Sequence, residues 1–381
     1  MKQKHIPFIL ACLLIFASVL SAKQLSIDTA SLSELGTFID DLAQADRFSG
    51  VVLIAKNNEI VFQKACGKAD QENDVDNCIE TSFDIASMGK MFTGVAIAQL
   101  VENKKLSYKD RLVSILPTLS EDIFGTITIE QLLTHSSGLG DIFGPAFFAI
   151  KDTAKTLQSY VNLSINEPLL FEPGTDVKYS NYAYILLGAV IEKVSGESYY
   201  DYIDTHIFKA VDMDFSDFDE GDQVNPNAAI GYALLKAPPN AKMPPPPGRV
   251  NNKRMIGIKG TSAGGVFSSA TDLLTFSLAL QKGKLISKKS FKNASRGKVS
   301  VPKPPTPPGM KPLPDLKFAY GFGEFYVNGQ RIIGHNGGAP GVDAQMDIYP
   351  KLGYTVIVLS NYDRTVMPVI DRIQEMITRL K

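Results

Sequence analysis

The sequence predicts a mixed α/β fold, with one antiparallel sheet assembled from strands near both ends of the chain and flanked by helices. A mainly helical segment is inserted between the two sets of strands. Three observations lead there. A hairpin pattern stands near the start, further strand patterns stand near the end, and residues from about 103 to 235 read as helices and loops.

The chain opens with Lys2 and Lys4, an apolar run from Ile6 to Leu20 and the small residues Ser21 and Ala22. That layout predicts a secretory signal over residues 1–22, cut near Ala22, and an exported product of residues 23–381. Only an uncleaved segment would hold the chain at a membrane. Leu32 to Ala45 then reads as an amphipathic helix. Val51 to Ala55, the turn pair Asn57-Asn58 and Ile60 to Phe62 read as a hairpin. A buried helix follows from about Ser87 to Glu102, and another from about Tyr182 to Val194, closed by Gly196. Pro238 to Pro247 and Pro302 to Pro314 cannot be helix or central strand, and are expected to form long surface loops walling a cleft. Between them a helix runs from Ala270 to about Gln281. Phe318 to Val327, the Asn328-Gly329 turn and Arg331 to Gly334 predict a second hairpin. Ala344 to Tyr349 and Tyr354 to Ser360 predict two more strands, and Val366 to Leu380 a closing helix. The α/β part is thus expected over about 23–85 and 255–381, and the helical insertion over about 103–235.

Composition narrows the partners. Among 381 residues, 44% are apolar and 21% charged, and the formal net charge is -1. No basic cluster with interleaved aromatics occurs, so nucleic acid is not an expected partner. No spacing of His, Cys or carboxylates suggests a metal, and no phosphate loop or dinucleotide fingerprint suggests a cofactor. A small molecule or peptide is the expected substrate. Cys66 and Cys78 are close enough in sequence to form one disulfide in an exported protein.

The chemistry concentrates at Ser87-Met88-Gly89-Lys90, at the start of a buried helix. Residues three apart share a helix face, so the Lys90 amine reaches the Ser87 hydroxyl. A desolvated lysine of lowered pKa can take a serine's proton. Tyr179-Ser180-Asn181 adds a phenol for acid/base work and an amide to hold a carbonyl or the lysine. His335-Asn336-Gly337-Gly338 follows a strand and lets a substrate backbone come close. A rival lies at Gly260-Thr261-Ser262-Ala263-Gly264, which fits G-x-S-x-G with Asp315 and His335 following. Its flanks lack the strand and helix that a nucleophile elbow needs. His135 reads as a structural, hydrogen-bonded histidine.

Taken in this order, the three motifs resemble those of the penicillin-recognising serine hydrolases, in their branch of class C β-lactamases, D-Ala-D-Ala carboxypeptidases and esterases. Leu132–Leu139, Gly264–Val266 and Ala270–Asp272 also look like that family's internal signatures. The resemblance implies a β-lactamase/transpeptidase-like fold and an acyl-enzyme on Ser87, activated by Lys90 and Tyr179. It also implies substrate contacts from Asn181, His335 and Gly337, and an oxyanion hole from the Ser87 and Gly338 N–H groups. The β-lactamases carry Lys where this chain has His335. A partly charged histidine would hold a carboxylate less firmly, so peptide or ester hydrolysis is expected over β-lactam hydrolysis. The alternative is a weakly catalytic relative that binds peptidoglycan fragments or β-lactams as a sensor or scaffold.

Overall fold

Val51, Leu53 and Ala55 face one side of their strand and Val52 and Ile54 the other, yet all five are buried. A strand apolar on both faces requires cover on both, and the fold supplies it as three layers. The computed structural model describes residues 26–218, 225, 227–235, 248–306 and 312–380. The predicted signal, the first proline-rich stretch and residues 307–311 of the second lie outside the described residues.

The central layer is an eight-stranded antiparallel sheet. Its strands are β1 (Gly50–Lys56), β2 (Glu59–Cys66), β3 (Val299–Ser300), β4 (Lys317–Phe318), β5 (Gly323–Val327), β6 (Gln330–Ala339), β7 (Val342–Tyr349) and β8 (Tyr354–Ser360). They lie in the order β2-β1-β8-β7-β6-β5-β4-β3, so the N-terminal hairpin docks on the last strand. Asn57 and Asn58 both take positive φ (49° and 76°), as do Asn328 and Gly329 (49° and 76°), the geometry that tight hairpin turns need.

On one face lie α1 (Thr29–Gln44) and α5 (Met367–Thr378), sealing a core that includes Leu35, Ile39, Val358 and Ile373. The other face carries α4 (Ala270–Lys282); α2 (Lys90–Glu102) packs beside it, and α3 (Asn181–Ser195) packs on α2. Of α2, every residue from Lys90 to Ala98 is buried, which is why its apolar positions go all the way round. Phe92 of α2 packs edge-to-face on Phe276 of α4 (4.8 Å) and on Phe208 of the helical region (5.2 Å). That ring ties the sheet-covering helices to the insertion. Among the described residues, no helix is long and apolar enough to cross a membrane.

Three expectations are corrected. Ser87 sits in a 3-10 turn, Ala86–Gly89, and the α-helix begins only at Lys90; Ala86, where the turn starts, takes a positive φ of 43°, so no helical backbone extends back beyond it. The strand expected from Phe318 to Val327 is broken at Ala319–Phe322, where Gly321 (φ 79°) bends against Gly94 of α2. Cys66 and Cys78 are free. Cys66 turns toward the core under α1, which pushes its thiol up to about 11. Cys78 lies exposed on a turn, its sulfur 3.5 Å from the Thr81 hydroxyl.

Phe92→Ala removes a ring that contacts both neighbours, so urea unfolding should show a loss of about 3–5 kcal/mol. A loss below about 1 kcal/mol would mean that the ring does not couple the two regions.

Candidate active site

Three distant parts of the chain converge on the Lys90 amine. Its Nζ lies 3.1 Å from Ser87 Oγ, 2.7 Å from Asn181 Oδ1 and 2.5 Å from the Ala263 carbonyl oxygen. It also lies 4.9 Å from the centre of the Tyr179 ring and 5.3 Å from that of Tyr184. Burial lowers the Lys90 pKa to about 7, against an opposing pull from Asp141. A neutral amine has two N–H donors and one lone pair. The two donors fit Asn181 and Ala263, both acceptors, which leaves the lone pair for the Ser87 hydroxyl proton.

Asn181 is the first residue of α3, whose N-terminus is capped by Ser180 Oγ accepting from the Ala183 N–H at 3.0 Å. The Asn181 amide donates to Asp141 Oδ2 at 3.0 Å, which orients its carbonyl oxygen toward Lys90. Asp141 was not singled out in the sequence; its one signal is its place just after the Leu132–Leu139 stretch. The Tyr179 phenol faces Ser87, and burial raises its pKa well above the usual tyrosine range, so it stays protonated at neutral pH. His135 stacks on Tyr179, with centroids 4.3 Å apart, and its Nδ1 accepts from the Ser180 N–H at 3.1 Å. Burial keeps its ring neutral. The expected structural histidine is therefore also the surface on which the Tyr179 ring rests.

The turn that carries Ser87 is clasped from two sides. A Cβ on Gly337 would fall 2.0 Å from the Ile85 carbonyl oxygen, and one on Gly264 would fall 2.4 Å from that of Ala86. Only glycine permits either approach. β6 runs past Gly334, where its pairing with β5 ends, and continues with β7 through Ala339. His335–Gly338 therefore belong to the strand rather than follow it, and their free edge faces the Ser87 turn. Gly338 has open space beside its Cα.

His335 departs from the charge expected of it. Burial, with Lys90 nearby, lowers its pKa to about 4, so it is neutral at neutral pH. Its Nδ1 lies 2.5 Å from the Asn336 carbonyl oxygen, which can only accept. The ring proton is therefore on Nδ1 and Nε2 is an acceptor.

Ser87, Tyr179 and Gly338 stand between two hollows. One is a groove of about 1290 Å³ that also takes in His335, Pro302, Pro304, Pro312 and Pro314. The other is a cavity of about 550 Å³ that takes in Asn181, Asp84, Phe143 and Tyr160. The rival Ser262 is fully buried, with its Oγ against Gly188 and no hydrogen-bond partner among the described residues. Asp315 is exposed and pairs with Lys303 at 2.7 Å. These residues form no triad. Among the described residues, no group of His, Cys, Asp and Glu is placed to hold a metal ion.

The family model described as Beta-lactamase matches residues 36–377. Penicillin-binding protein 4* of Bacillus subtilis (strain 168) is 32% identical over 339 residues, 86% of this chain and 71% of that protein. The crystal structure of a penicillin binding protein from Bacillus halodurans superposes with a TM-score of 0.77 at 28% identity, covering 90% of this chain and 99% of that one. A D-amino acid amidase from Ochrobactrum anthropi SV3 superposes at 0.74 over 91% of this chain and 98% of its own. At 23% identity that likeness is one of fold.

Gly337→Ala should displace β6 from the Ser87 turn while the remainder folds. We expect acylation of Ser87 by a fluorophosphonate probe to slow about a hundredfold, since misplacement near 1 Å has effects of that order. Unchanged labelling would show that the close approach is dispensable.

Proposed function

The chain belongs to the β-lactamase family, and from that premise we propose that it is an exported serine hydrolase working through an acyl-enzyme on Ser87. Its substrates would be amides or esters: D-amino-acid peptides and amides, or small esters. The observation that carries this reading is the place of the buried Lys90 amine, 3.1 Å from Ser87 Oγ, with two acceptors, Asn181 Oδ1 and the Ala263 carbonyl, to hold the two protons of its neutral form.

Lys90 takes the Ser87 proton as Oγ attacks the carbonyl carbon. The Ser87 and Gly338 N–H groups hold the oxyanion. Tyr179, kept protonated by burial, gives its proton to the leaving nitrogen or oxygen and regains one from the Lys90 ammonium. Water then attacks the acyl-enzyme with the same groups in reverse. Asn181 holds Lys90 and orients the substrate. A neutral His335 offers no positive charge to a carboxylate, so β-lactam hydrolysis should be weak or absent. Residues 1–22 support the export half of the reading.

The test is hydrolysis of a short p-nitrophenyl ester. Ser87→Ala should lose about a thousandfold in kcat or more, and Ser262→Ala should stay within about threefold of wild type, since that hydroxyl makes no bond among the described residues. Equal rates for wild type and Ser87→Ala would overturn the reading. Loss confined to Ser262→Ala would move the nucleophile.

A pH profile checks the base. With the Lys90 pKa lowered to about 7 by burial, the amine is charged and inactive below that value and neutral above it. We expect kcat/KM to climb as pH rises through about 7 and then level off. A profile flat from about pH 5.5 to about pH 8.5 would remove Lys90 from the base role.

A further inference from the structure

Within residues 81–98 every side chain is buried except two, Asp84 and Ser87, which are partly open. Both open onto the same cavity of about 550 Å³, beside Asn181 and Gly338. Ser87 is proposed above as the nucleophile; the carboxylate three residues before it has no part in that chemistry.

The bonding of Asp84 is incomplete. One oxygen accepts from the Ala86 N–H at 2.7 Å, and no ion pair to the carboxylate is formed among the described residues. Lys90 is committed to Ser87, Asn181 and Ala263. Of the other charged residues of the cavity, Lys259 lies over the Tyr200 ring at 4.0 Å, Asp152 pairs with Lys151 at 2.5 Å, and Lys253 is exposed to solvent. Burial raises the Asp84 pKa to about 6, the mark of a carboxylate without a compensating cation. In the larger groove that Ser87 also borders, His335 is neutral and offers no positive charge.

We propose that Asp84 is the anionic subsite for an ammonium group on the acyl half of the substrate, so that the enzyme acts on amides or esters of amino acids with a free α-amino group. An α-ammonium is separated from the attacked carbonyl carbon by a single carbon, so its counter-charge must stand next to the nucleophile. Asp84 meets that condition, because it is bonded to the residue preceding Ser87. The cavity holds the acyl residue, and its apolar wall of Phe143, Phe147 and Tyr160 receives the side chain. The larger groove takes the leaving group.

This rests on the serine-hydrolase reading, and the experiment separates the two. D-alanine p-nitroanilide and its N-acetyl derivative are compared at about pH 7, where most of the free amine is protonated, with wild type, Asp84→Asn and Ser87→Ala. The Asn variant keeps an acceptor for the Ala86 N–H and removes only the charge. Wild type should favour the free amine by about tenfold or more in kcat/KM, through KM, and Asp84→Asn should lose that preference. A wild-type enzyme that prefers the N-acetyl substrate overturns the subsite whether or not the variant folds. So does an Asp84→Asn enzyme that retains the preference. Hydrolysis insensitive to Ser87→Ala overturns the serine-hydrolase reading itself.

Discussion

The amine of Lys90 is buried among groups that cannot neutralise it. Its partners are a serine hydroxyl, an amide oxygen and a backbone carbonyl, with the carboxylate of Asp141 reached only through Asn181. An uncompensated buried charge is costly, and the cheaper course is to release the proton. Much else in the structure serves that one environment. α2 is buried all round to hold the lysine away from water, α3 begins where Asn181 must stand, and the Ala263 loop is clamped to α2 through Thr93, whose hydroxyl donates to the Ser262 carbonyl at 2.7 Å.

The position of Ser87 depends on a second constraint, the positive φ of Ala86. A non-glycine residue there is strained by roughly 1–3 kcal/mol and persists only when its surroundings over-determine it. The surroundings here are Gly264 and Gly337 pressed against the backbone of Ile85 and Ala86, with Asp84 holding the Ala86 N–H. Strand β6, the loop at 264 and the end of the Phe83–Asp84 strand thus set the position of Ser87 from three directions. In this arrangement Asp84 can brace the turn with one oxygen and present charge to the cavity with the other.

Much of this was legible in the residues. Asn57-Asn58 and Asn328-Gly329 marked both hairpins because few residues other than Asn and Gly accept those turn conformations. Gly196 marked the end of α3 for the same reason, with φ 81°. The apolar runs of β1 and β8 required cover on both faces, though not the identity of what covers them. Less was legible where long-range contacts override local pattern. The helix periodicity after Ser87 concealed the 3-10 turn, since Ala86 is bent by neighbours from residues 264 and 337. The strand at His335–Gly338 carried two glycines and looked like a strand end, yet pairing with β7 continues it. Asp141 and Asp84 were silent because a carboxylate in a loop or short strand has no period.

The sequence by itself determined the class of chemistry: a serine and a lysine on one turn, a tyrosine with an asparagine at a helix start, and a strand carrying a histidine and glycines. Spacing along a helix is a local property, so it survives without the fold. Only the tertiary structure decided the states of these groups. How readily Lys90 gives up a proton, and why Tyr179 keeps its own and His335 stays neutral, follows from burial and from partners brought in by the fold, such as Asn181 and Ala263 around Lys90. Charge in a protein interior is set by its surroundings, and those exist only once the chain has folded.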